Sequence, residues 1–365
     1  MSATLSVVDE RTRATVVLIN VGTPDAPTTS AVRRYLREFL SDPRVIDLPA
    51  LGRWALLNLV ILPFRPRKSA ALYRAIWTPQ GSPLLVHGRA LAAALQARLP
   101  QARVALGMRY GSPALAEALA DAGDRVVLVP LFPQYASATA GSALAEARRL
   151  IDGGARRRSV TEVPPFFDDD GFLAAAASKI MEATQAGVDA VLLSYHGVPV
   201  SQVQATVAPG HVCGGDPAWR CCAALSPDNA RCYRAQCLAT SRALEARLRA
   251  AGCTAPVSTS FQSRLGRARW IGPATVDAVD ELARSGKKRL AVACPSFVAD
   301  CLETLEEIGV QLRARFLAAG GERFTLVPCL NDDARFVDAL ARMVARALGP
   351  PAEATGTATG SRSPA

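Results

Sequence analysis

The stretch "VLLSYHGVP" (residues 191–199) decides how the chain is read. An apolar run of the kind that fills a buried strand ends in Ser194, Tyr195 and His196, then breaks at Gly197 and Pro199. An earlier stretch, "VLINVGTP" (17–24), has the same plan of strand, polar edge and Gly-x-Pro turn, 175 positions upstream. A weaker pair follows in "LVPLFPQY" (128–135) and "LAVACPSF" (290–297), apolar runs that each close on a proline. Two half-length repeats predict two similar α/β lobes. The offset sets Val21 against His196, and strand C-terminal ends are where open α/β sheets place their ligand crevice.

Working outward, apolar runs at 15–21, 103–110, 124–132, 188–195, 255–261, 288–296 and 324–328 read as strands. Helix-period segments lie between them, for example at 82–98, 137–151, 229–251 and 300–317. Continuous apolarity, as opposed to alternation, predicts strands buried on both faces, hence parallel sheets covered by helices. The divisions expected are an extension over 1–13, a first lobe over 14–155, and a second over 156–330 with a cysteine-rich insertion at 211–237. A C-terminal helix over 331–348 and a disordered tail over 349–365, rich in Pro, Gly, Ser and Thr, complete the chain.

Composition narrows the function. The 365 residues carry a formal charge of +10, which points to anionic partners. The arginines are scattered and no nucleic-acid motif is present, so an acidic ligand or an anionic membrane face is favoured over nucleic acid. The N-terminus has charges at Asp9, Glu10, Arg11 and Arg13 and no secretory pattern. The longest apolar run, from Trp54 to Phe64, is shorter than the roughly 18–20 residues that span a bilayer. A cytoplasmic protein is expected. Phosphate-binding glycine loops and a G-x-S-x-G elbow are absent, which removes support for nucleotide and esterase chemistry.

Three groups of residues could carry chemistry. His196 is one of three histidines in the chain and stands at a strand end; packing and chemistry both suit it. In "CPSFVADCLETLEEIGVQLRARF" (294–316), Leu302, Leu305, Ile308, Leu312 and Phe316 form one helical stripe and Asp300, Glu303 and Glu307 another. A solvated face competes there with an oxygen-ligand path for a divalent cation, and imidazole plus carboxylate suits ferrous iron. Third, Cys213, Cys221, Cys222, Cys232 and Cys237 fall within 25 residues of a loop-like segment. Cytoplasmic thiols stay reduced, so metal binding is the better reading than disulfides. The spacing does not choose between zinc and an iron–sulfur cluster.

The motifs "VVLINVGTPDAP", "FLSDPRVIDLP", "LYRAIWTPQGSPL", "LGMRYGSPAL", "PLFPQYASATAGS", "LLSYHGVP", "CLATSRAL", "SFQSRLGRARWIGPAT" and "CPSFVADCLETLEEI" resemble, in order, those of bacterial ferrochelatases, from about residue 15 to 347. The resemblance implies a type II chelatase fold, two Rossmann-like lobes with parallel sheets flanked by helices and a porphyrin between them. It implies insertion of Fe(II), as substrate, into protoporphyrin IX to give protoheme; coproporphyrin III is the alternative substrate. It puts the family's histidine on His196 and its acidic helix on Asp300, Glu303 and Glu307, with His196 and Glu303 as iron contacts. Val21, Arg109 and Tyr110 fall on the opposite face, and Ser194 and Phe261 among the porphyrin-binding positions. The run 54–64, with Arg53, Arg65, Arg67 and Lys68, resembles the family's lip, which implies peripheral association with a membrane and with the upstream porphyrin-synthesis enzyme. A subgroup of the family holds a 2Fe-2S cluster on internal cysteines. The resemblance to that subgroup implies four ligands among the five clustered cysteines, with Cys237 the least certain because cluster-free relatives often have cysteine there. The oligomeric state is not legible in the sequence.

Overall fold

The computed structural model describes residues 13–213, 219–264 and 268–349. The expected extension and tail fall outside these, save for Arg13 and Gly349, as does 214–218 of the cysteine insertion.

Among the described residues, eight strands form two parallel sheets of four. The first contains β1 (Thr15–Thr23), β2 (Arg103–Gly111), β3 (Arg125–Pro130) and β4 (Ser159–Glu162); the second contains β5 (Ala190–His196), β6 (Val257–Gln262), β7 (Arg289–Ala293) and β8 (Arg323–Leu326). Their orders, β2-β1-β3-β4 and β6-β5-β7-β8, are the same topology twice. The echo between 17–24 and 192–199 is therefore β1 against β5, the central strand of each lobe, and the second echo is β3 against β7.

Alternation along each strand explains the layers. Val16 and Leu18 of β1 point inward to a core shared with Val191, Leu193 and Tyr195 of β5, so one apolar cluster joins the two sheets. Val17 and Ile19 point the other way, against Leu115, Leu119 and Ala147. On β5, Ala190 and Leu192 face Val279, Ile308, Leu312 and Phe316. All of these strand residues are buried on both faces, and each fully buried aliphatic side chain contributes roughly 1.5–3 kcal/mol. The C-terminal helix Ala334–Leu348 packs back on Asp170–Thr184 and Pro83–Arg98, adding Phe336 and Leu340 to the shared core.

Two elements differ from the sequence reading. β4 has no apolar run: "SVTE" is a four-residue edge strand with one face exposed, and the sheet alone defines it. The acidic segment is wound as a π-helix over Glu303–Leu312 before an α-helical end at Arg313–Ala318. The Gln311 amide donates to Glu306 five positions back at 2.6 Å, the spacing of that wider turn. Such insertions concentrate at functional sites.

Candidate active site

Strand periodicity builds the first half of the site. Ser194 and His196 lie on the same face of β5 as Ala190 and Leu192, the face covered by the π-helix. The turn after His196 needs glycine: a Cβ on Gly197 would lie 2.7 Å from the Gln262 carbonyl, to which the Gly197 N–H donates. The close approach stops β5 with His196 part-exposed at its C-terminal end. The ring Nδ1 is 2.6 Å from the Gly197 carbonyl. A carbonyl only accepts, so Nδ1 is the donor here and Nε2 is the nitrogen left for another partner. Phe297 packs edge-on to the ring with centroids 6.1 Å apart.

Glu303 and Glu307 are the acidic neighbours. The Ser263 N–H donates to Glu307 at 2.9 Å and its hydroxyl at 2.5 Å; Ser263 has a left-handed backbone, φ 65, a conformation tolerated where the surroundings demand it. Burial pushes the Glu307 carboxyl above its usual range, the Ser263 donors and His196 pull it down, and Glu303 pushes it up again. Glu307 thus interacts electrostatically with both His196 and Glu303. Glu303 also bears on the buried Tyr35 and Tyr73, whose phenols are raised first by burial. Asp300 is different. It is 5% exposed and accepts from Asn331 Nδ2 at 2.9 Å, Thr304 Oγ1 at 3.1 Å and the Cys329 N–H at 3.3 Å. It anchors the start of the acidic segment.

The opposite wall comes from the first lobe. Val21 is part-exposed at the end of β1 and packs on Leu84, Ala299, Cys301 and Phe297, which are drawn from both lobes. Gly22 beside it has φ 109, and a Cβ there would collide with the Tyr110 carbonyl at 1.7 Å, so the "VGTP" turn requires glycine. Arg109 donates to Asp42 and Ser142, each at 2.9 Å, and the Tyr110 hydroxyl donates to Asp42 at 2.8 Å. Arg109, Asp42 and Ser142 line a recess of about 350 Å³ together with Glu38, Arg44 and Arg149, whereas Tyr110 is 1% exposed and takes no part in that lining. Ser194 and Phe261 are fully buried. The Ser194 hydroxyl is bonded to Gln262 and Thr275, each at 2.8 Å, and Phe261 packs on Tyr195. They lie beneath the strand end and present no surface to a ligand. Sequence reasoning missed Ser263, Gln262, Asp42 and Ser142 because their partners stand 32 to 100 positions away.

The ferrochelatase family model matches residues 13–348. The chain is 43% identical over 346 residues to a ferrochelatase of Pseudomonas aeruginosa strain LESB58, covering 93% of this chain and 99% of that one. It is 42% identical over 339 residues to a ferrochelatase of Coxiella burnetii strain Dugway 5J108-111, covering 91% and 93%. The chain belongs to the ferrochelatase family. Among solved structures it is similar to CbiX, described as the terminal enzyme for biosynthesis of siroheme in denitrifying bacteria, with TM-score 0.48 and 17% identity over 92% of this chain and all of that one.

Two further features of this family member are its exposed apolar run and its cysteine insertion. Leu51, Trp54, Leu59, Val60 and Phe64 are more than half exposed, Leu51 at 78% and Phe64 at 75%. Leu57 and Leu62 from the same run anchor it in the first-lobe core. Among the described residues no helix is long and apolar enough to cross a membrane. In the insertion, Cys221 and Cys222 sulfurs are 3.5 Å apart and Cys222 and Cys232 sulfurs 3.9 Å, and Cys213 lies close enough to all three to feel them electrostatically. Cys237 faces Tyr233 and Tyr195 instead. Cys213 is pushed up to about 11, chiefly by burial. Among the described residues no three His, Cys, Asp or Glu side chains are grouped to hold a metal ion; the sulfurs of Cys221, Cys222 and Cys232 form a chain of contacts, not a cage around one point.

Proposed function

We propose that this chain inserts Fe(II) into protoporphyrin IX to give protoheme, the terminal step of heme biosynthesis. The observation that carries the reading is His196 part-exposed at the end of β5 with the Glu307 carboxyl acting on it from the acidic segment that also holds Glu303. Metal entry requires two pyrrole protons to leave the macrocycle and the ring to distort so that its nitrogen lone pairs meet the ion. A neutral imidazole accepts one proton at a time, and a carboxyl with a raised affinity for protons, as burial makes Glu307, suits passing it onward. Glu303, which bears on Glu307 and on Tyr35 and Tyr73 of the first lobe, suits holding the arriving cation or a proton. Val21 offers packing to the other ring face and Arg109 positive charge on the first-lobe side, while Tyr110, 1% exposed like Phe261, supports the wall from inside.

The apolar lip favours protoporphyrin over the more anionic coproporphyrin III. Steady-state metal insertion is expected to give protoporphyrin a kcat/KM higher by on the order of tenfold; a preference for coproporphyrin III would reassign the substrate. The exposed side chains of the lip, bordered by Arg53, Arg65, Arg67 and Lys68, also suit an interfacial membrane contact. Purified protein is expected to sediment with anionic vesicles at low salt, and Phe64→Asp with Leu51→Asp to release it. Failure of the unaltered protein to bind them sinks the assignment.

The cysteines are read as the holder of a 2Fe-2S cluster, in which ligands serve the irons in pairs. The sulfur contacts among Cys221, Cys222 and Cys232 suit a cluster iron and a tetrahedral zinc alike, so the cluster reading rests on the resemblance to the cluster-bearing subgroup, and Cys237 is directed elsewhere. Anaerobically purified protein is expected to contain about two irons and two sulfides per chain. Cys222→Ser loses them and Cys237→Ser keeps them; iron-free, colourless protein leaves zinc or free thiols to account for the group.

A further inference from the structure

Two neighbouring strand ends carry four polar residues on the face under the π-helix. The parallel register sets Ser194 beside Ser260 and His196 beside Gln262, and alternation along each strand puts all four on one face. Ser194 and Ser260 are fully buried and Gln262 is 3% exposed. A buried polar group is costly unless it is bonded, so each of these must find a partner inside the protein.

The Gln262 amide lies 2.9 Å from the main-chain carbonyl of Glu303, the first residue of the π-helix. A carbonyl only accepts, so the amide nitrogen faces it, and the amide oxygen is left for the Ser194 hydroxyl, which donates at 2.8 Å. With its proton used there, Ser194 accepts from Thr275 at 2.8 Å, and Thr275 accepts from Ser260 at 2.9 Å. Every donor in this buried row points the same way, toward Glu303.

The main chain at the same place holds the histidine. The Gln262 carbonyl accepts from the Gly197 N–H at 2.8 Å, which fixes the turn after His196. On the other side of β5, where pairing with β7 ends at Leu193 and Ala293, the Ser296 hydroxyl accepts from the His196 N–H at 3.0 Å. Gln262 is thus bonded to the strand of the histidine through its backbone and to the acidic segment through its side chain, and its neighbour Ser263 donates twice to Glu307.

We propose that Gln262, oriented by Ser194, is a positioning residue for metal insertion that holds the start of the acidic segment in place beside the strand carrying His196. Ser194 then serves the reaction from the interior, by turning the amide so that its N–H meets Glu303. The proposal rests on His196 and Glu303 taking part in the reaction, and not on what the thiols bind.

The test is Gln262→Met in the full chain, which keeps the length of the side chain and donates nothing, with Ser194→Ala as the milder companion. Anaerobic rates give kcat and the separate KM values for Fe(II) and porphyrin, and melting temperatures are taken alongside. With three histidines in the protein, the His196 imidazole C–H resonance is identified by its absence from His196→Ala. Gln262→Met is expected to lower kcat/KM for Fe(II) on the order of tenfold, the scale of one lost buried hydrogen bond, to leave the porphyrin KM unchanged and to move the His196 resonance. Ser194→Ala is expected to change the same two readings by less. A lower melting temperature with parental iron kinetics and an unmoved resonance makes Gln262 a packing residue and overturns the proposal, as does an effect confined to the porphyrin KM. A full effect in Gln262→Met with none in Ser194→Ala overturns the part given to Ser194. Should Gln262→Met not fold, Ser194→Ala decides, and parental iron kinetics there overturn the whole. Parental turnover in both His196→Ala and Glu303→Gln defeats the reading of the reaction instead, and the resonance still judges the placement.

Discussion

His196→Ala is expected to lower kcat for heme formation by about 10²–10⁴-fold, the range a positioned acid–base group contributes, while leaving the fold intact. The ring is part-exposed and its contacts are few: the Gly197 carbonyl and the edge of Phe297. Truncation therefore removes little packing, and the melting temperature is expected to stay within a degree or two of the parent, as for surface substitutions. Anaerobic rate measurements with circular dichroism on the same samples check both halves. Unchanged turnover leaves a tetrapyrrole- or metal-binding scaffold without this chemistry and withdraws the catalytic assignment.

Asp300→Ala is expected to act on stability first. Its carboxylate receives Asn331, Thr304 and the Cys329 N–H inside the protein, and truncation strands these donors away from water. Each buried unsatisfied group costs about 1–3 kcal/mol, so a total of about 3–5 kcal/mol is reasonable for losing a buried hydrogen-bonded charge. Calorimetry is expected to show a melting temperature lower by about 5–10 °C. Asp300→Asn keeps the shape and one acceptor and is expected to recover most of it. An Asp300→Ala protein of parental stability and strongly reduced kcat would instead make this residue a direct participant in proton or metal relay.

The sequence made the architecture legible through apolar runs buried on both faces and through the repeated strand-to-turn pattern. Val21 and His196 share an offset because they end the central strands of two identically ordered sheets. The edge strand β4 was not legible, since a four-residue polar strand carries no periodic signal of its own. The acidic residues were legible as a face, but their winding was not: an α-helical wheel groups Asp300, Glu303 and Glu307, whereas the structure separates a buried anchor from two residues beside the histidine. Ser194 and Phe261 illustrate the limit of motif position. Both stand in matched motifs, yet strand alternation and the parallel register turn them into the interior on opposite faces. Ser263 and Ser296 act through hydrogen bonds to Glu307 and to the His196 N–H across long sequence separations, for which one sequence offers no signal.

The central claim is that this cleft inserts iron into a porphyrin. Purified protein, Fe(II) and protoporphyrin IX, mixed without oxygen and followed by the loss of porphyrin fluorescence and the rise of the heme absorption band, test it directly. Catalytic turnover, many hemes per chain, is the predicted result. Binding of porphyrin without metal insertion, under conditions where the iron stays ferrous, would contradict it.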